Sequence, residues 1–186
     1  MQADSPSAAP PPPPAAPRRQ RARRWLRDLA IFAVALLLIQ WWQARHFPAG
    51  PAPGFAALAA DGRSTSLEAV RAQHAGQPLA LYFWAEWCPV CSLQQDAVDA
   101  LGADWPLFTV AMQSGDRAAV EGVLRERGLR WNTAIDADGR IAALYGVHGV
   151  PALIVIGADG DIRASAVGYT TGPGMRLRMW WAQIRG

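Results

Sequence analysis

Beyond residue 54, short unbroken apolar runs alternate with stretches whose apolar residues fall at helical spacing. Leu79–Trp84 (LALYFW), Leu107–Met112 and Ala152–Ile156 have the length and continuity of strands buried on both faces. Thr65 and Glu68 form a T-x-x-E capping box for a helix through Gln73, stopped by Gly76. Val90–Leu101 reads as a helix with Leu93, Ala97 and Leu101 on one face and Gly102 at its end. Asp116–Arg127 follows as another, presenting Ala119, Val123 and Leu124, with Gly128 behind it. Phe55–Ala59 and Trp131–Ile135 read as short strands, and Ile141–Tyr145 as a short helical stretch. Ala152–Ile156 and Asp161–Val167 flank GADG as a hairpin. Gly174–Ile184 closes the series as a helix, with Leu177, Trp180, Trp181 and Ile184 expected to cover the sheet. Strands alternating with helices and ending in a hairpin predict an α/β fold with a mixed central sheet flanked by helices.

The N-terminal part follows another pattern. Residues 1–24 are rich in proline and arginine (PSAAPPPPPAAP), a composition that builds no core and reads as a disordered cytoplasmic tail. Leu29–Ala44 then carries no charged residue, and at helical rise it spans roughly 24 Å, slightly under a hydrocarbon core. Trp25 and Leu26 extend it, and Trp41 and Trp42 suit an interfacial aromatic belt. We read residues 25–45 as a single transmembrane signal anchor, 46–54 (containing FPAGPAPG) as a linker, and 55–186 as the folded domain. Two alternatives stay open. A cleaved signal peptide would put bulky Trp42 at the −3 position of a cut after Ala44, and a buried core helix would rarely be apolar all round.

Charge supports this division. The formal net charge is +3, with every basic residue an arginine. Six arginines against Asp4 and Asp28 give the first 28 residues +4, which leaves −1 for everything after them. A folded part so nearly neutral carries no basic nucleic-acid footprint. The arginine-rich side should stay cytoplasmic, placing the domain in the periplasm of a bacterial inner membrane.

The chain has two cysteines, Cys88 and Cys91, in FWAEWCPVCS. A structural zinc site needs four ligands, and His46, His74 and His148 do not repeat the cysteine spacing, so no metal is expected. Haem attachment requires histidine after the second cysteine, where Ser92 stands. A purely structural disulfide would close a loop too short to remove much unfolded-state entropy. Redox exchange explains the pair better. Cys88 ends a strand-to-helix loop, where unpaired amides and the helix dipole favour its thiolate, the attacking species. Cys91, one turn on, can resolve the mixed disulfide, and Pro89 occupies the first turn without loss.

With its neighbours, this stretch resembles the active-site region of the thioredoxin superfamily: strand Leu79–Trp84, then W-C-x-x-C opening a helix. Gly149-Val150-Pro151 before Ala152–Ile156 is similar to the superfamily's cis-proline loop, which faces the cysteines and pairs with an extended substrate. The anchor and the extra Asp116–Ile135 segment resemble the membrane-anchored TlpA/ResA/DsbE-like branch. WCPVC, VAMQSGD and GYTTGPGMRLRMWWA look most similar to ScsD-like protein disulfide oxidoreductases linked to copper tolerance.

The resemblance implies a thioredoxin-like fold and an enzyme with no cofactor beyond a redox-active Cys88–Cys91 disulfide. It also implies protein disulfide or thiol substrates and a DsbD/ScsB-like membrane electron donor. Trp87, Pro89, Val90, Val150 and Pro151 are the expected substrate contacts, with Glu86 and His148 as candidate tuning groups. Two departures stand out: Tyr82 replaces the buried aspartate of many thioredoxins, and Gln94 replaces the glutamate of ResA-like proteins. The implied direction is reduction of specific protein disulfides. Alternatives are the same chemistry run as an oxidant, or Cu(I) binding by the two thiolates.

Overall fold

The computed structural model describes residues 24–32, 34–35 and 50–185. The chain divides into two units, Met1–Trp41 and Trp42–Gly186. In the first, the described positions are helical and exposed. Among the described residues no helix is long and apolar enough to cross a membrane, and most of the expected 25–45 anchor lies outside them.

The second unit is built on a six-stranded mixed sheet. Its strands are β1 (Gly50–Pro51), β4 (Leu79–Trp84), β5 (Leu107–Met112), β6 (Thr133–Asp136), β7 (Ala152–Ile156) and β8 (Asp161–Val167). Their order is β1-β8-β7-β4-β5-β6. β4 runs parallel to β5 and antiparallel to β7. A separate hairpin pairs β2 (Ala56–Leu58) with β3 (Ser64–Ser66). The helices are α1 (Leu67–Gln73), α2 (Pro89–Asp104), α3 (Arg117–Glu126), α4 (Arg140–Leu144) and α5 (Gly172–Arg185).

All six residues of β4 are buried, because both faces of this strand are covered. Ala80, Tyr82 and Trp84 join a core with residues of α2, α3 and α5. Leu79, Leu81 and Phe83 point the other way, into a core with α1, α4, Phe55 and Tyr145. The period-two alternation of strand side chains divides the protein into these three layers.

Several expected boundaries shift for local reasons. Ser66, not Thr65, caps α1 by accepting the Ala69 amide, because β3 pairing continues through Ser66 and the helix starts only at Leu67. α2 passes through Gly102 and ends at Asp104, with its Leu101 carbonyl accepting the Trp105 amide. Gly50–Pro51, read as linker, pairs with β8 instead, and the Ala52 amide and Pro53 carbonyl are also tied down. Gly160 turns the β7–β8 hairpin at φ +97°, a backbone conformation that glycine adopts without strain.

Three helix faces differ from expectation. α2 buries Cys91, Gln94, Val98 and Leu101 and leaves Leu93 exposed. α3 buries Val120 and Leu124. α5 lays Met175, Met179 and Ala182 on the sheet, so Leu177, Trp180, Trp181 and Ile184 face outward rather than covering it. The inward positions carry slim side chains, which let the helix sit close to its neighbours.

Asp136 fixes the segment leading to the site. Its buried carboxylate accepts the Ile141 and Ala142 amides at 3.0 and 2.9 Å, holding the start of α4. Replacing Asp136 with alanine would leave two buried donors unpaired. We expect a loss of about 2–4 kcal/mol in chemical denaturation, with Asp136→Asn costing less.

Candidate active site

Antiparallel pairing of β4 with β7 puts Phe83 opposite Ala152. That register brings the start of β7 beside the end of β4, where the chain turns into the cysteine loop. The Val150–Pro151 peptide bond there is cis, and Pro151 is buried. Its carbonyl accepts the Gly168 amide at 2.8 Å, linking the loop to the end of β8.

Cys88 is the N-cap of α2, with extended backbone angles, and Pro89 follows in the first turn. The Cys91 amide donates to the Cys88 sulfur at 3.1 Å. Val150 O lies 3.6 Å from the same sulfur, within reach of a reduced thiol's proton. Cys88 and Cys91 form a disulfide, each with only 4% of its surface exposed. No acidic residue stands in the first turn of α2, so the positive end of the helix faces the sulfur unopposed. This arrangement stabilises negative charge on Cys88, as attack on a disulfide requires.

The loop before Cys88 is held by the VAMQSGD segment, which the sequence marked by resemblance alone, with no contact to the cysteine loop expected. Trp87 Nε1 donates to Gln113 O at 3.1 Å, although its ring stays exposed. The Glu86 amide donates to Ser114 Oγ, which donates in turn to Met112 O. These contacts cross from the end of β4 to the end of β5. Gln113 adopts φ +49°, a left-handed conformation uncommon outside glycine, at the point where it receives Trp87.

The structure groups Trp87, Pro89 and Val90, all exposed, around the cysteines, with half-buried Val150 opposite. Glu86 is exposed, and the contacts that fix it run through its backbone. His148 is exposed too, and no hydrogen bond joins it to either cysteine among the described residues. Tyr82 lies in the same core as the cysteines, edge-on to Trp131 at 6.1 Å between ring centroids. Burial pushes its phenol well above the ordinary range, and its hydroxyl has no protein partner among the described residues. Gln94 is buried, and its Oε1 accepts the Thr170 amide at 2.8 Å, tying α2 to the turn before α5. Among the described residues no cluster of three or more His, Cys, Asp or Glu converges.

A cysteine pair at a helix start, facing a cis-proline loop across a mixed α/β sheet, defines a thiol–disulfide oxidoreductase with a thioredoxin-like fold. The chain belongs to the AhpC/TSA family, whose profile matches residues 48–165, and its relatives include DsbE proteins of the thioredoxin superfamily. It is 26% identical to a thioredoxin-like protein of Haemophilus influenzae over 67% of this chain and 73% of that one. It is 28% identical to the thiol:disulfide interchange protein DsbE of Escherichia coli, over 59% of this chain and 57% of the relative. The chain thus spans little more than half of that DsbE. A secreted Mycobacterium tuberculosis disulfide oxidoreductase homologous to E. coli DsbE superposes with a TM-score of 0.57. It shares 25% identity, over 68% of this chain and 95% of the other.

The Gln94–Thr170 bond gives a test of how α2 is held. Gln94→Leu leaves the buried Thr170 amide unpaired and should cost about 1–3 kcal/mol, read by urea denaturation of the oxidised protein. An unchanged midpoint would show that the amide finds another partner.

Proposed function

We propose that the protein is a membrane-anchored periplasmic thiol–disulfide oxidoreductase that reduces specific protein disulfides. The observation that carries this reading is the Cys88 sulfur at the N-cap of α2, receiving the Cys91 amide and lying 3.6 Å from the cis-proline loop carbonyl of Val150. In the reduced protein, the Cys88 thiolate attacks one sulfur of a substrate disulfide. The substrate S–S bond breaks, a mixed disulfide forms, and the departing substrate sulfur takes a proton from solvent, replacing the one Cys88 gave up on ionising. Cys91 then loses its proton and attacks the Cys88 sulfur, releasing the second substrate thiol. Two electrons and two protons pass to the substrate, leaving the Cys88–Cys91 disulfide. A DsbD/ScsB-like membrane electron donor restores the dithiol, and no further cofactor takes part.

Trp87, Pro89, Val90 and Val150 form the face a substrate strand meets, with Pro151 buried behind Val150 and setting its direction, and backbone pairing at Val150 would align the substrate disulfide with Cys88. Glu86 at the exposed rim is a proton acceptor for this exchange, and His148 a group that modulates the charge nearby. Anchoring is supported by the uncharged run Leu29–Ala44 beside the arginine-rich segment. It is also supported by Trp25, Leu26, Leu29, Ile31, Phe32 and Val34, which project from the helical positions unburied by protein.

The resemblance to DsbE-like proteins supports reduction rather than oxidation, and in an oxidising compartment the dithiol needs the dedicated electron supply named above. The likeness to copper-tolerance proteins does not require a metal role, and two thiolates make a minimal Cu(I) site.

Cys91→Ser should trap substrates on Cys88 as mixed disulfides that dissolve on adding dithiothreitol, and Cys88→Ser should trap none. Insulin reduction should fall to background in both variants. Alkylation of cell samples should find the wild-type pair largely reduced. A fully oxidised pair at steady state would reverse the direction of transfer.

A further inference from the structure

α5 carries two apolar stripes on opposite sides. Met175, Met179 and Ala182 are fully buried against the sheet. Leu177, Trp180, Trp181 and Ile184 occur at i, i+3, i+4 and i+7, with exposures of 62%, 54%, 42% and 56%. Such a contiguous outward stripe, two of its members tryptophan, is not the scattered surface hydrophobicity that needs no explanation.

The flanks of this stripe are cationic. Helical spacing puts Arg176 on one side of it and Arg178 and Arg185 on the other, and α5 contains no acidic residue. Arg185 lies over the Trp181 ring at 4.0 Å, so cation and indole present themselves together. Arg176 donates to Asp104 at 3.1 Å and to Ala100 O at 3.0 Å, leaving Arg178 and Arg185 as the cations without an acidic partner among the described residues.

The stripe also faces away from the reaction. A Cβ on Gly172 would touch Ala97, and Arg176 reaches the end of α2, so α5 advances as α2 recedes from Cys88. Trp180, Trp181 and Ile184 lie a further turn or more beyond Arg176. A substrate engaged at Cys88 has no reason to cover them.

We propose that the outer face of α5 docks on the surface of an anionic lipid bilayer. Tryptophan belongs at the interface between acyl chains and headgroups, and a helix with an apolar stripe flanked by arginines binds there. Phosphate headgroups supply the charge that Arg178 and Arg185 lack. The entry of the chain agrees with this occupant. Only residues 45–49 separate the uncharged run from Gly50, and Gly50 pairs with β8, one of the strands on which α5 packs. This last argument rests on the anchored reading above, whereas the stripe and its arginines do not. Docking would hold the domain in one orientation and leave the Cys88 end free.

The test uses the full chain in vesicles of phosphatidylglycerol or phosphatidylcholine whose acyl chains are brominated near the headgroup. The fluorescence difference between wild type and Trp180→Phe/Trp181→Phe isolates those two indoles. We expect it to be quenched in phosphatidylglycerol, and the quenching to be lost in phosphatidylcholine, in high salt and in Arg178→Gln/Arg185→Gln. Insulin reduction should be unchanged in every variant. Unquenched indoles in phosphatidylglycerol would overturn the proposal. So would a dimer in detergent that Trp180→Ser/Trp181→Ser dissociates, because a second copy would then be the occupant. Alkaline extraction reads the anchor separately: release at high pH with the indoles still quenched at neutral pH would remove the anchor and keep the docking.

Discussion

The pairing of β4 with β7 is the constraint from which the site follows. Phe83 opposite Ala152 sets where the cis Val150–Pro151 bond stands relative to Cys88, and the 3.6 Å approach of Val150 O depends on it. A slip of one residue would turn Tyr82 and Trp84 from the core beneath α2 to the opposite layer. Burial of all six β4 residues makes that slip costly, because each face has a complete set of partners. The register also explains why a site with so few polar groups holds its shape. Its geometry is carried by the sheet, and the loops need only a few ties, such as Trp87 to Gln113 and Glu86 to Ser114.

Proton traffic at this site departs from a carboxylate-assisted scheme. Tyr82 stays neutral because burial opposes its ionisation, and Gln94 is committed to the Thr170 amide. Asp136, the one buried carboxylate among the described residues, is engaged by the amides of α4 in the other layer. Among the described residues the Cys91 proton therefore has no internal carboxylate to receive it. In the exchange we propose, that proton passes to solvent, to the departing substrate thiolate or to the exposed rim where Glu86 lies. Charge on Cys88, by contrast, needs no titratable neighbour, because a backbone amide and the helix start stabilise it.

The parts legible in the sequence were those set by local pattern. β4, β5 and β7 fall on the residues expected, because continuous apolar runs bounded by turn residues leave little choice of length, and β8 follows β7 across the GADG turn. The cysteines and the Val150–Pro151 bond were also readable, each as a short motif with a fixed place in a resembling fold. What was not legible is set by distant chain. Gly50–Pro51 is a strand only because β8 offers a free edge, and proline-rich spacing gives no hint of that. Ser114 and Gln113 became site residues through strand ends that only the folded sheet brings together.

The face of α5 was misread for a more instructive reason. Both of its stripes have helical spacing, and residue size favoured Leu177, Trp180, Trp181 and Ile184 as the core. Packing favours the other stripe. α5 lies against β7, β8 and α2 at once, with Gly172 close to Ala97, and slim or pliable side chains are what such close approach admits. Methionine and alanine fill that gap where two adjacent indoles would force the helix off the sheet. The large side chains are thus outside because the inner face fits without them. Their presence there, between arginines and without an acid, calls for a role outside the core.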